Sequence, residues 1–80
     1  MKIMTNIEAS LSPAERSVLQ KLLDGLRNQE IAAKLRLSDK TVKNHISHIL
    51  RKTKTNSRLE LTIKVYKQRE RDLRRRLTAA

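Results

Sequence analysis

Eighty residues carrying 19 Lys and Arg against 8 Asp and Glu give a formal net charge of +11, with no Cys. A chain this short buries only a little more than ~60% of its unfolded surface, so a deep catalytic cavity would consume core it needs, and the missing cysteines exclude disulfides, thiolate nucleophiles and thiolate zinc sites. The basic excess favours polyanionic partners, and with Tyr66 as the one aromatic residue the stacking platforms that grip single strands are lacking, which puts double-stranded DNA ahead of RNA.

Residues 1–10 read as a short N-terminal arm whose scattered apolar residues make neither a signal-peptide core nor a membrane span. A cytoplasmic chain with no membrane partner is therefore expected. Ser12, Pro13, Ala14 and Glu15 then form a capping box: Ser12 caps, Glu15 reaches back, and Pro13 occupies the first turn, where its missing donor is harmless. Val18, Leu19, Leu22, Leu23 and Leu26 recur at helical spacing, and Gly25 is the natural left-handed stop. This predicts a first helix over 13–24. Asn28 is suited to cap a short second helix with Ile31, Ala32 and Leu35 on its inner face, and Ser38 to cap a third starting at Asp39. Two short helices joined by about three residues have the spacing of a helix-turn-helix. With one Gly, one Pro and no two-residue alternation, the fold class is all-α.

The charge is polarised along this order. Through Asp39 there are 6 basic and 5 acidic residues, a net of +1; from Lys40 onward there are 13 and 3, a net of +10. Val42, Ile46, Ile49 and Leu50 give the third helix an inward face within roughly 100° of arc. Geometry then sends Lys40, Asn44, Ser47, His48 and Arg51 outward, with Lys43 and Thr41 on the flanks. Such a face donates to guanine acceptors, pairs with adenine through Asn and neutralises phosphates. No acid interrupts it between Lys40 and Asn56, which is unusual for a merely solvated surface. His45 and His48 stand three apart, yet no third ligand lies near in sequence, so they read as polar DNA-proximal residues and no metal site is expected.

Ser57 through Glu60 repeat the capping-box spacing, with Asn56 as an alternative cap, so a fourth helix starts near residue 57. Leu59, Ile63, Tyr66, Leu73 and Leu77 follow four-three spacing, interrupted by Glu70, while Leu61 and Val65 lie roughly 120° or more away. Two apolar faces call for two partners: the other helices and the same helix of a second subunit, or, alternatively, two faces buried within one monomer. The longer stripe suits the partner, making Leu59, Ile63, Tyr66 and Leu73 the candidate dimerisation residues. Residues 68–80 read either as a basic extension of this helix, aided by Glu70 to Arg74 and Asp72 to Arg76 spacing, or as a flexible tail.

From Leu11 to Val65 the chain resembles the LuxR-type, or GerE-like, helix-turn-helix DNA-binding domain. The residues that carry the resemblance are Glu15 with Val18 and Leu19, Gly25, Asn28 with Glu30, Ile31 and Ala32, Leu35, Ser38, Thr41 to Lys43, His45, Ile49, Lys52 and Arg58. The resemblance implies a four-helix domain over 11–67 whose third helix enters the major groove and whose fourth supports it and mediates dimerisation. Position by position, it implies that Lys43, Asn44 and Ser47 face base edges and that Thr41, Lys52, Asn28 and Ser38 hold phosphates; Lys40, His48 and Arg51 complete the phosphate set from the same outward face. Glu15 and Arg58 match charged framework positions and are candidates for a structural ion pair. One departure stands out. The family often has Lys-Leu-Gly-Val after the third helix, where this chain has Lys52, Thr53, Lys54 and Thr55, and a left-handed residue without Gly costs roughly 1 kcal/mol or more.

These readings predict a stand-alone, dimeric, sequence-specific transcription regulator of bacterial or phage type, controlled by its abundance or by a regulatory protein partner, with no enzymatic activity, cofactor or small-molecule ligand. Two other classes compete: a nonspecific architectural DNA-binding protein, and a protein-interaction module that docks another regulator through its fourth helix. Selection from random duplexes separates them.

Overall fold

The computed structural model describes residues 6–78, which form five helices and no strand. A four-residue helix, α1 (Asn6–Ala9), precedes the four expected ones: α2 (Pro13–Leu23), α3 (Asn28–Leu35), α4 (Asp39–Thr53) and α5 (Arg58–Thr78). None is long and apolar enough to cross a membrane among the described residues. The extra helix corrects the plain arm expected over 1–10, of which residues 1–5 lie outside the described residues. One turn carries no periodicity and is too short to be stable alone; α1 is held by packing and by its Glu8, which is buried and ion-pairs with Arg69 of α5.

Local chemistry sets the other boundaries. At the start of α2 the Ser12 hydroxyl accepts from the Glu15 amide at 3.2 Å while the Glu15 carboxylate accepts from the Ser12 amide at 2.8 Å, the reciprocal box expected. Gly25, at φ 88°, ends α2 as its amide bonds Leu22 O and the Leu26 amide bonds Lys21 O. The α3 start differs from expectation. Arg27 holds the cap position and its amide donates to the Glu30 carboxylate at 2.8 Å, so Asn28 is the first helical residue and its side chain is left for another use. Arg36, left-handed at φ 56°, closes α3 and turns the chain into α4.

Ten buried apolar residues form one core drawn from every major element: Leu11; Val18, Leu19 and Leu22 of α2; Ile31 and Ala32 of α3; Val42 and Ile49 of α4; Leu61 and Val65 of α5. Ile46 and Leu50 pack against it half-buried, so the predicted inner face of α4 is the observed one. Burying a Leu, Ile or Val side chain is worth about 1.5–3 kcal/mol, and here that energy locks α4 against α2 and α3 along one side only. Its other side is left to solvent.

The question of which apolar line of α5 points inward is also answered. Leu61 and Val65 are fully buried, whereas Leu59, Ile63, Tyr66, Leu73 and Leu77 are 45–72% exposed. The helix continues unbroken past residue 67 to Thr78, about 31 Å at 1.5 Å per residue. Two anchors grip it on opposite flanks: the Arg69 guanidinium donates to Glu8 through Nε at 3.0 Å, and Lys64 Nζ donates to Thr53 O at the end of α4 at 2.6 Å.

Candidate nucleic-acid interface

Helix α4 follows α3 through residues 36–38, the short link of a helix-turn-helix. Its start is fixed by Ser38, whose hydroxyl accepts from the Thr41 amide at 3.1 Å and donates to the Thr41 hydroxyl at 2.8 Å. Both hydrogen-bonding functions of Ser38 are thereby engaged, while Thr41 retains its own hydroxyl hydrogen for an outside acceptor.

Beyond this cap, Lys40, Lys43, Asn44, Ser47, His48 and Arg51 are all exposed. None of their side chains has a hydrogen-bond or ion-pair partner among the described residues. The predicted outward face is thus present as a continuous surface of ammonium, guanidinium, imidazole, carboxamide and hydroxyl groups, and Thr41 and His45 border it half-buried. Such groups, standing on a protruding helix, match both base-edge acceptors and phosphate oxygens. No cluster of three or more metal-ligating side chains occurs among the described residues.

Other predicted residues are engaged inside the fold. Lys52 donates to the Glu15 carboxylate at 2.7 Å, its side chain 43% exposed and that of Glu15 only 5%. This corrects the expected pairing of Glu15 with Arg58. Glu15 projects from the first turn of α2 toward the last turn of α4, where Lys52 reaches it; Arg58 donates instead to the Leu26 carbonyl and, at 2.8 Å, to Asn28 Oδ1. The Glu15 carboxyl is held at about 2 rather than 4.5, chiefly by the Lys52 hydrogen bond and next by the Ser12 amide, against an opposing push from burial. As a DNA-facing group Lys52 therefore brings a charge already shared with a buried carboxylate, unlike Lys40 or Arg51. Asn28 keeps only its NH2 for an outside acceptor.

The turn that departs from the family pattern solves its geometry with hydroxyls. Lys54 takes the left-handed conformation at φ 55° where Gly would be unstrained, and the Lys54 and Thr55 amides return to the last carbonyls of α4. Thr53 Oγ1 donates to Ile49 O at 2.8 Å and contacts Thr55 Oγ1 at 2.8 Å, and both threonines are buried. Thr53, Thr55 and Lys64 together tie the exit of α4 to α5. Sequence reasoning missed this cluster, although two threonines flanking a turn in place of apolar residues were a readable sign of it.

Comparison with known proteins places these features in a family. Residues 9–65 match the family described as "Bacterial regulatory proteins, luxR family". The nitrate/nitrite response regulator protein NarL of Escherichia coli (strain K12) is 41% identical over 59 residues, which is 74% of this chain and 27% of that protein. Response regulator Rre1 of Synechocystis sp. is 46% identical over 55 residues, 69% of this chain and 24% of the relative; transcriptional regulatory protein DegU of Brevibacillus brevis is 42% identical over 57 residues, 71% and 24%. The chain thus spans about a quarter of the length of these relatives. It belongs to the luxR family of bacterial regulatory proteins, and its helices have the architecture of that family's helix-turn-helix domain.

Proposed function

We propose that the protein binds duplex DNA sequence-specifically as a twofold dimer in the cytoplasm, with α4 lying in the major groove. Lys43, Asn44 and Ser47 read base edges; Lys40, Thr41, His48 and Arg51 neutralise or donate to phosphates on either side, joined by Asn28 at the edge of the face, while Ser38, its own hydroxyl hydrogen engaged by Thr41, orients the Thr41 donor. Lys52 is assigned to the fold, through Glu15. The observation that supports this reading is the unpartnered outward face of α4, which presents donors to DNA while acidic side chains are absent from Lys40 to Leu59.

The dimer seam is assigned to Leu59, Ile63, Tyr66 and Leu73, with Leu77 at its end. These side chains and Glu70 fall within roughly 80° of arc on α5, and a run of large exposed apolar groups of this kind marks an association surface. Glu70 interrupts the stripe but is already paired with Arg74 at 2.7 Å. Dimerisation doubles the phosphate contacts and sets two half-sites about one helical turn apart.

Selection from random duplexes at moderate salt tests the function: a defined, roughly palindromic motif supports it, and recovery of no motif contradicts it. Light scattering across a concentration series tests the seam. Leu73→Glu is expected to shift the protein toward monomer without lowering its helicity.

A further inference from the structure

Arg58 begins α5 at the side of the molecule where α2 passes into α3. Its guanidinium donates to Leu26 O and to Asn28 Oδ1, across 32 and 30 residues of sequence. A guanidinium has donors only, so the carboxamide can meet it solely through oxygen. The Asn28 NH2 must then point away from Arg58. No side-chain nitrogen or oxygen is buried without a partner among the described residues, and the Asn28 NH2 has no acceptor there, so it stands open to solvent beside the first turn of α3. In a helix-turn-helix the first helix crosses the DNA backbone while the second enters the groove. A carboxamide that turned freely would present an acceptor to a phosphate in one of its two orientations and a donor in the other; Arg58 removes the wrong one.

We propose that Arg58 is a positioning residue for DNA binding: it fixes the Asn28 carboxamide with its NH2 outward, as a donor to a backbone phosphate beside the major groove read by α4. This rests on the docking of α4 proposed above. Arg58 itself makes no DNA contact in this account, and its action lies in choosing which half of an amide the phosphate meets.

The decisive variant is Asn28→Asp. It keeps an oxygen facing Arg58 and adds an internal ion pair, so the thermal midpoint is expected to stay or rise. It also replaces the outward donor with a second anionic oxygen, and affinity is expected to fall at least about tenfold at 0.15 M salt, equally on operator and random duplexes, with the salt slope shallower by about 0.9. Asn6→Asp, the same chemical change on α1, controls for the added charge and is expected to change affinity less than twofold. Arg58→Lys, which still offers only donors, should retain most of the affinity; Arg58→Gln, which lets the amide turn and also loses the Leu26 contact, should have a lower midpoint and, at a temperature where both variants are fully folded, a weaker affinity than Arg58→Lys.

Asn28→Asp binding as tightly as wild type, or no more weakly than Asn6→Asp, overturns the proposal. So does equal binding by the two Arg58 variants where both are fully folded. A failure of α4 docking is distinguishable: there Asn44→Ala would leave base preference unaltered, whatever the Asn28 variants do.

Discussion

The cations of α4's exposed face and four others, one in the last turn of α4 and three on α5, have opposite situations. Lys40, Lys43 and Arg51 find no partner in the described structure. Lys52, Arg58, Lys64 and Arg69 each hold an acceptor that belongs to another element: Glu15, the Leu26 and Asn28 oxygens, the Thr53 carbonyl, and Glu8. A net charge of +11 therefore overstates what is available to a polyanion. Some of the basic residues that resemble a binding surface in one dimension act as rivets in three, while Lys40, Lys43 and Arg51 stay unpartnered on the one face that also carries Asn44 and Ser47.

The contrast predicts a double dissociation between Lys52 and Lys43. Lys52→Met leaves a nearly buried carboxylate with only its capping partners, and is expected to cost about 1–3 kcal/mol of stability, less than for a fully buried pair because Lys52 is half-exposed. Lys43→Met removes an exposed, unpartnered charge and is expected to stay within about 0.5 kcal/mol of wild type. Denaturant unfolding measures the first and duplex titration the second: Lys43→Met should weaken binding at full stability. If both variants moved both quantities together, the division into rivets and open cations would fail.

Acid sharpens the same pair. Because the folded Glu15 value is depressed from 4.5 to about 2, its contribution to stability is complete above the ordinary carboxylate range and is lost as pH falls through the folded value. Wild type should lose stability between about pH 4.5 and 2. Lys52→Met, lacking the main cause of the depression, should show a smaller loss across that window; identical acid profiles would show that the pair is not the source.

Lys54 gives the next effect in size. Its left-handed backbone carries the usual Cβ penalty, so Lys54→Gly is expected to stabilise the fold by up to about 1 kcal/mol, offset in part by the greater freedom of Gly in the unfolded chain. A clear destabilisation would mean that the Lys54 side chain, and not its backbone, matters at this turn. Smallest in global terms is Glu8→Gln, which weakens the Arg69 contact: amide exchange should quicken beyond residue 66 of α5 while the core amides around Val42 and Ile49 stay protected.

Features set by neighbours in the chain were readable from it. The Ser12–Glu15 box, the Gly25 stop, the Ser38 cap and the outward face of α4 all follow from spacing within one or two turns. What escaped was the choice among distant partners. Glu15 had two cations of suitable type, Lys52 and Arg58, and only the docking of α4 against α2 decides between them; Asn28 could cap α3 or reach Arg58, and the position of α5 decides that. The helix α1 escaped for another reason, since four residues show no period and depend on Glu8 meeting Arg69, 61 positions away. The two apolar lines of α5 were visible, but their assignment to core or solvent required the packed structure.

The central claim, that the open face of α4 reads bases, is tested most directly by comparing the sequence preferences of wild type and Asn44→Ala on the same random-duplex pool. The account predicts a twofold motif for wild type and, for the variant, a preference relaxed by about 1–3 kcal/mol at one position in each half-site, with neighbouring positions retained. Indistinguishable preferences for the two proteins, or an equal loss at every position, would contradict it.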